Sequence, residues 1–368
     1  MKESVQYLII GGGINGVVTA YHLAEAGSEV LLIERKRIAH EGSSANAGTL
    51  SVQNKPVKMT ASSIEAVKGW LELDAALGGK LNYHRTGGYR VAQSEQQLAK
   101  IQTIAAQQRE KGLEVIPCSA EEILKAEPNI TPTIVGGNYC ALDGYGDSKN
   151  AVRFIAEAAR EKGAEIMEFC PAQHISYDGK RYIVETGQGR IEAQKVLFAA
   201  GMWSKELVAE LGFEVPIDQR LFQMQVTEPA PPLINHVITH ANGNLTIKQS
   251  SENGSLLIGG GWRGIGDYTK FQKDVNLDNM VGNAKIAIEC FPRLAQLNIL
   301  RSWAGFDART RDESPLFGEI PGCPNAYIVG AGQGGFTTGP AYGKFMAELL
   351  MTGRTHPIME EFSVRRFI

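Results

Sequence analysis

An apolar run, Tyr7-Leu8-Ile9-Ile10, breaks at Gly11 and gives way to apolar positions at helical spacing from Ile14 to about Ala26. A second apolar run, Val30-Leu31-Leu32-Ile33, follows and ends on Glu34. Short continuous apolar runs flanking a 3.6-period stretch predict strand–helix–strand, with the strands buried on both faces. The pattern returns twice. After Gly146-Asp147-Ser148, a helix is predicted over Ala151–Glu161, with Val152, Ile155, Ala156 and Ala159 on one face and Gly163 as its stop. Glu165-Ile166-Met167 and Lys195-Val196-Leu197-Phe198-Ala199-Ala200-Gly201 supply further strands. Near the C-terminus, Ala326-Tyr327-Ile328-Val329-Gly330-Ala331-Gly332 leads through a glycine-rich turn into a helix predicted from about Pro340 to Met351 and ended by Gly353.

The intervening segments have another character. Residues 81–142 combine a strand, Gly88–Ala92, with two helices whose starts carry capping-box spacing, Ser94 with Gln97 and Ser119 with Glu122. Residues 215–300 read as short strands broken by Asn-Gly and Gly-rich turns, among them Asn244–Gln249 and Ser255–Gly259 around Asn253-Gly254. The expected fold class is α/β (α+β overall). A discontinuous Rossmann-type dinucleotide-binding domain (1–80, 144–214 and 301–368) is interrupted by a mainly antiparallel-sheet substrate domain (81–143 and 215–300).

Composition narrows the function. Among 368 residues, 43% are hydrophobic, 21% are charged and the net charge is −3, so electrostatics favour no nucleic-acid partner. No apolar run approaches the ~18 residues of a membrane span. The start, Met1-Lys2-Glu3-Ser4, runs into the first strand and leaves no room for a signal peptide. The five cysteines are odd in number and lack CxxC spacing, which argues against a disulfide framework or a metal cluster. A cytoplasmic protein is expected. His236 and His240 are four apart, but β-branched neighbours suggest a strand, where such residues lie ~13 Å apart. No metal site is expected.

Gly11, Gly13 and Gly16 fit G-x-G-x-x-G between a strand and a helix, the context that gives this spacing its meaning. They allow the tight turn, the approach of backbone to a pyrophosphate and close helix–strand packing. The helix start at Ile14 and Asn15 offers free N–H groups and a positive dipole end. Glu34, with Arg35 beside it, ends the second strand and accepts from ribose hydroxyls. An acid there favours an unphosphorylated adenosine ribose, as in FAD or NAD, over NADP.

With the nucleotide fingerprint stand four further marks: Glu41-Gly42-Ser43-Ser44-Ala45-Asn46-Ala47-Gly48, Ala199-Ala200-Gly201-Met202-Trp203-Ser204, Ser302-Trp303-Ala304-Gly305-Phe306 and Gly330-Ala331-Gly332-Gln333-Gly334-Gly335-Phe336. Together they resemble the glycine oxidase/D-amino-acid oxidase family of FAD enzymes over nearly the whole chain. The stretch from Ser43 to Gln53 is most similar to catalytic subunits of heteromeric dehydrogenases acting on proline, D-hydroxyproline or opines. The resemblance implies FAD, contacted by Ser43, Ser44, Asn46, Ala47, Gly48, Thr49, Ala200, Gly201 and Trp203. It also implies that Gly332, Gln333, Gly334, Gly335, Phe336 and Thr337 present backbone N–H groups to the flavin's pyrimidine edge, where a reduced flavin carries negative charge.

Family members commonly grip the substrate carboxylate with an arginine just after the W-A-G stretch. Here that position holds Asp307. Arg309 or Arg311 can take over, Arg309 being the leading substitute and Lys248 a second candidate, while Asp307 raises the alternative of a substrate with an additional cationic group. Oxygen-using relatives carry a lysine over the flavin where this chain has Trp262, which implies electron transfer to a partner rather than to oxygen. No cysteine lies in 303–312, so FAD is expected to be non-covalent. No residue stands out as a base, which suits hydride transfer from a neutral amine held in place by the site. The expected function is FAD-dependent oxidation of a small amino or imino acid to an imine, within a complex whose partner subunits carry further redox centres. A self-sufficient oxidase making hydrogen peroxide and a non-catalytic FAD-binding subunit are the alternatives.

Overall fold

The computed structural model describes residues 4–368; Met1–Glu3, part of the basis for expecting no signal peptide, lie outside them. The strand Ser4–Ile10 lies at the centre of the first sheet. It pairs in parallel with Val30–Ile33 on one side and with Gly189–Phe198 on the other. Glu165–Met167 and Ala326–Gly330 extend the parallel run outward. Leu8, Ile9, Leu31 and Leu32 are 0% exposed, because helices cover one face of these strands and a second layer covers the other.

The helices Ile14–Glu25, Ser148–Glu161 and Gly335–Thr352 pack on the same face. Ser148–Glu161 starts three residues before the predicted Ala151, since Asp147 caps it by accepting from the N–H groups of Lys149 and Asn150 at 3.1 Å. The last helix starts at Gly335, five residues before the expected Pro340. Its glycine-rich first turns are helical because of tertiary packing rather than propensity. A Cβ on Gly339 would come 2.3 Å from Ile14, and one on Gly343 2.5 Å from Val18, so these glycines let the two helices touch.

The second sheet has eight strands, in the order Ile299–Thr310, Ile217–Pro229, Ser255–Gly259, Thr246–Gln249, Val237–His240, Gly88–Ala92, Gly136–Cys140 and Ile116–Ser119. It is antiparallel except where Val237–His240 meets Gly88–Ala92 in parallel. The strand expected from Asn244 begins at Thr246. The segment expected to rejoin the nucleotide-binding part at 301 stays in this sheet as far as Thr310, paired from Ile217↔Thr310 to Val226↔Arg301. The chain returns to the first sheet only at Leu316–Glu319, so this long strand ties the two sheets together. Both predicted caps form: Ser94 accepts from the Gln97 N–H, and Ser119 with Glu122 makes a full capping box. Among the described residues, no helix is long and apolar enough to cross a membrane.

Alternation along the strands decides which side chains look inward. Gln223 and Gln225 bond to the backbone of Asn276 and Met280 at the helix on the outer face, whereas Arg220, Phe222 and Met224 line a large cavity on the other. The pairs Arg90↔Thr239, Thr239↔Thr246 and Thr246↔Gly259 bring Arg90 and Thr246 onto that same inner face.

Replacing Gly343 by Ala should destabilise the chain by about 1–3 kcal/mol, the usual cost of overpacking. An unchanged urea midpoint would contradict the tight helix contact.

Candidate active site

The cavity, of about 960 Å³, lies between the C-terminal ends of the parallel strands and the inner face of the second sheet. At one end it is lined by Gly11, Gly13, Ile14, Asn15, Glu34 and Arg35. A Cβ on Gly16 would sit 2.1 Å from the Gly11 carbonyl oxygen, so the helix start can approach the turn only without a side chain there. Glu34 accepts from the Gly12 N–H through Oε2 and from the Lys36 N–H through Oε1, both at 2.8 Å. Burial pushes its carboxyl pKa up, against the pull of these two donors. It therefore fixes the turn itself as well as facing the cavity.

Ser43 and Asn46 line the cavity with Ala47 and Thr49, whereas Ser44, Gly48 and Gly16 stand behind the wall. Ser43 Oγ accepts from the Ile14 N–H at 2.9 Å, and Asn46 Oδ1 accepts from the Gly48 N–H at 2.7 Å. Ala200, Gly201 and Trp203 also line the cavity. Arg35 lies 3.6 Å over the Trp203 ring and 4.5 Å from that of Phe271. Asn15 Oδ1, Thr49 Oγ1 and Trp203 Nε1 are buried without hydrogen-bond partners, and all three residues border the cavity. Buried polar atoms are normally satisfied, so a polar, elongated ligand in this groove answers three unmet valences at once. The glycine turn, the acid at Glu34 and these three atoms fit a dinucleotide such as FAD.

The segment Gly332–Thr337 lines the other end. Lys55 is buried there against Gly334, where a Cβ would come 2.5 Å from Nζ. Burial pushes the Lys55 ammonium pKa down to about 8, with Asp143 and Asp307 opposing the shift and Arg309 adding to it. Arg309 and Asp307 both border the cavity, but they are bound to each other: Arg309 Nε donates to Asp307 at 2.6 Å and Nη1 donates to Glu313 at 3.0 Å. Two of the donor positions on which the expected carboxylate grip depends are thereby taken.

Lys248 and Trp262 do not reach the cavity wall. Lys248 shares a face with Thr246 but stands one step further along the strand, where Nζ donates to the Gly146 carbonyl at 3.1 Å beside Tyr145. Burial pushes its pKa down to about 7. Trp262 turns outward: its Nε1 donates to the Asn244 carbonyl and its ring covers Gly282. The wall beside it is made by Gly260, Gly261 and Arg263. His236 is bound to the buried Glu127 at 2.7 Å.

Among the cavity cations that escaped the sequence reading are Lys55 and Arg90. Among the described residues, Arg90 has no carboxylate within ion-pair distance, and its Nε is buried without a partner. Burial lowers its pKa, and Asp143 partly restores it through space. Asp143 fixes the loop that leads to Lys55 and, through Gln53, ties it to the strand that carries Arg90. It is 1% exposed and accepts from the Val52 N–H at 2.6 Å, and from Ser51 Oγ and Gln53 Nε2 at 2.9 Å. Gln53 also donates to the Gly88 carbonyl at 2.9 Å, which ties the Lys55 loop to the Arg90 strand. A signal for Arg90 existed: it alternates with the core residue Val91 and its side chain must face the opposite way.

The chain matches the profile of the DAO family, FAD-dependent oxidoreductases, over residues 6–349. It is 25% identical over 378 residues to an opine oxidase subunit of Rhizobium meliloti, an alignment covering 99% of this chain and 98% of that one. It is 27% identical over 376 residues to the beta subunit of sarcosine oxidase from Rhodobacter capsulatus, covering 100% and 89%. In fold it is similar to L-proline dehydrogenase from P. horikoshii, with a TM-score of 0.93 over 100% of this chain and 98% of that one at 24% identity.

Glu34→Ala should weaken FAD binding by roughly 10- to 100-fold, the loss expected for a charge-assisted contact that also anchors the turn. Equilibrium titration with FAD checks this, and unchanged affinity would contradict it. Lys55 gives a pH test. Its folded pKa of about 8 lies below the ordinary 10.5, so between those values the unfolded chain holds a proton that the folded chain has released. Stability should rise with pH in that window, by up to about 1.4 kcal/mol per unit, relative to Lys55→Met. Denaturant curves of the FAD-free proteins from pH 7 to 10 measure the difference, and parallel trends would contradict it.

Proposed function

Because the chain belongs to the FAD-dependent oxidoreductase family, we propose that it oxidises the C–N bond of a small amino or imino acid, as the catalytic subunit of a cytoplasmic dehydrogenase complex. The observation that carries this reading is Arg90: a cation at the cavity wall with a buried, unpartnered Nε. A substrate carboxylate would complete it, and a guanidinium suits that task because its fork matches a carboxylate's two oxygens.

When bound, FAD supplies the acceptor for a hydride from the carbon next to nitrogen. The protein's share is orientation, exclusion of water and charge. Arg90 anchors the carboxylate. Phe222 and Met224 give the cavity an apolar wall, which disfavours a charged amine and helps it lose its proton before oxidation. Asp307 and Glu313 are engaged by Arg309, so neither is free to serve as a base. Lys55 and the N-terminus of the helix Gly335–Thr352 supply positive charge at the end lined by 332–337. Removal of a hydride from carbon and a proton from nitrogen leaves an imine, which water hydrolyses to an amine and an oxo compound.

Glu34, Ser43 and the segment 332–337 would hold FAD without a covalent bond. Residues 303–312 contain no cysteine, and Cys170 borders the cavity with Pro171 and Ala172 in the segment that follows the strand Glu165–Met167. The opine and sarcosine oxidase relatives are both named as subunits, which supports partner chains as the destination of the electrons.

Anaerobic mixing of the FAD-loaded chain with D- and L-proline, hydroxyprolines, sarcosine, glycine and opines tests the reading. One class should bleach the flavin band, and Arg90→Gln should raise the half-saturating concentration by roughly 10- to 100-fold. On readmission of air, colour should return slowly, and quickly only with an added dye acceptor. Bleaching by no member would overturn amine oxidation, and fast recolouring in air would favour the oxidase.

A further inference from the structure

Lys55 is held in the cavity wall by neutral groups and left without a partner of its own. The residue is 8% exposed, and its Nζ makes no hydrogen bond and no ion pair among the described residues. The loop beneath it is pinned from two sides. Gln108 Nε2, on the helix Glu95–Glu110, donates to the Gln53 and Lys55 carbonyls at 3.1 Å. Gln333 Nε2 donates to the Asn54 carbonyl at 3.3 Å. Gln333 belongs to the turn that opens the helix Gly335–Thr352, so this bond brings the ammonium to the helix start. A Cβ on Gly334 would collide with Lys55, and the bare glycine admits it.

A helix N-terminus and a buried, unpaired ammonium thus meet at one spot, where the first-turn N–H groups also lack intrahelical acceptors. Other charges act on Lys55 only through space. Burial lowers its pKa to about 8, Asp143 and Asp307 oppose the shift, and Arg309 adds to it. Asp143 spends its oxygens on Ser51, Val52 and Gln53, and Asp307 is bound to Arg309. Neither acid is free to pair with Lys55. Negative charge at this spot must come from what the cavity holds, and the flavin end placed here is negative only when reduced.

Resting on the flavin placement given under the proposed function, we propose that Lys55 is the redox-linked proton acceptor of this site. It binds a proton when the flavin is reduced and releases it when the flavin is reoxidised. A hydride brings two electrons and one proton and adds one negative charge to the cavity. Neutral Lys55 then binds one further proton, taken from water, and becomes an ammonium. The added charges cancel, and no bond to carbon is made or broken. On reoxidation the acceptor takes the two electrons, and both protons return to water. An opposite charge nearby raises an amine's pKa by about 1–3 units. Above about pH 8 Lys55 is therefore neutral beside oxidised flavin and charged beside reduced flavin, until the raised value is passed. Below about pH 8 it is charged in both states and takes up nothing.

The test reads the bound flavin rather than turnover. Midpoint potentials of the FAD-loaded full-length chain are measured by dithionite titration with reference dyes from about pH 6.5 to 9.5. Each proton taken up per two electrons changes the equilibrium tenfold per pH unit, or about 30 mV. Wild type should take up close to one proton per two electrons near pH 6.5 and close to two near pH 9. Lys55→Met should take up one near pH 9. Lys55→Arg, whose guanidinium stays charged, should also take up one there, at a higher potential than Lys55→Met. A wild-type count of one near pH 9, or a count of two that survives Lys55→Met, would overturn the assignment. Calorimetry with methoxyacetate, an unreactive carboxylate, excludes the rival role. Its affinity should change less than about threefold in Lys55→Met, and a loss of tenfold or more would give Lys55 to the substrate instead. Dithionite supplies the electrons, so inertness toward every amine would sink the proposed function while the proton count still decides this one.

Discussion

Arg90 holds its charge at the wall of the cavity with no acid in contact among the described residues. Withdrawing a cation from water costs free energy unless a partner is supplied, and under the proposed function a substrate carboxylate would be the partner of the buried Arg90 Nε. The surrounding architecture places it there. The second sheet must turn one face inward to form the wall. The glycine-rich ends of the parallel strands must form the floor. The long strand Ile299–Thr310 must belong to the roof while leading back to the floor.

One buried carboxylate coordinates this arrangement. Asp143 satisfies its oxygens on Ser51, Val52 and Gln53, and Gln53 reaches across to Gly88. The loop delivering Lys55 and the strand delivering Arg90 are thus positioned by the same group. Both cations also feel its charge without contacting it, which eases their burial yet leaves their donors free. Arg309 shows the contrast: with Asp307 and Glu313 bound to it, it is a structural cation.

The nucleotide half was legible in the chain because its signals are local. Gly11, Gly13 and Glu34 do their work within one strand–turn–helix–strand unit, and periodicity locates that unit directly. The helix start at Gly335 was not legible, since glycine propensity argues against it and only contact with Ile14 and Val18 overrules that. The substrate end was harder still. Lys55, Arg90, Arg220, Arg263 and Arg309 come from five separate stretches of chain, and only sheet register tells which of them meet. Lys248 illustrates the sensitivity: one alternation step beyond Thr246 removes it from the cavity and sets it against Gly146. Trp262 lost its expected place for a related reason, since its neighbours Gly261 and Arg263 face inward and it does not.

The most direct measurement is a crystal structure of the FAD-loaded protein with an unreactive carboxylate bound. The account predicts FAD along the groove between Glu34 and Gly332–Thr337, and a carboxylate within hydrogen-bonding distance of Arg90, with Arg309 still paired to Asp307. A carboxylate seated on Arg309 after displacement of Asp307, with Arg90 left bare, would contradict it.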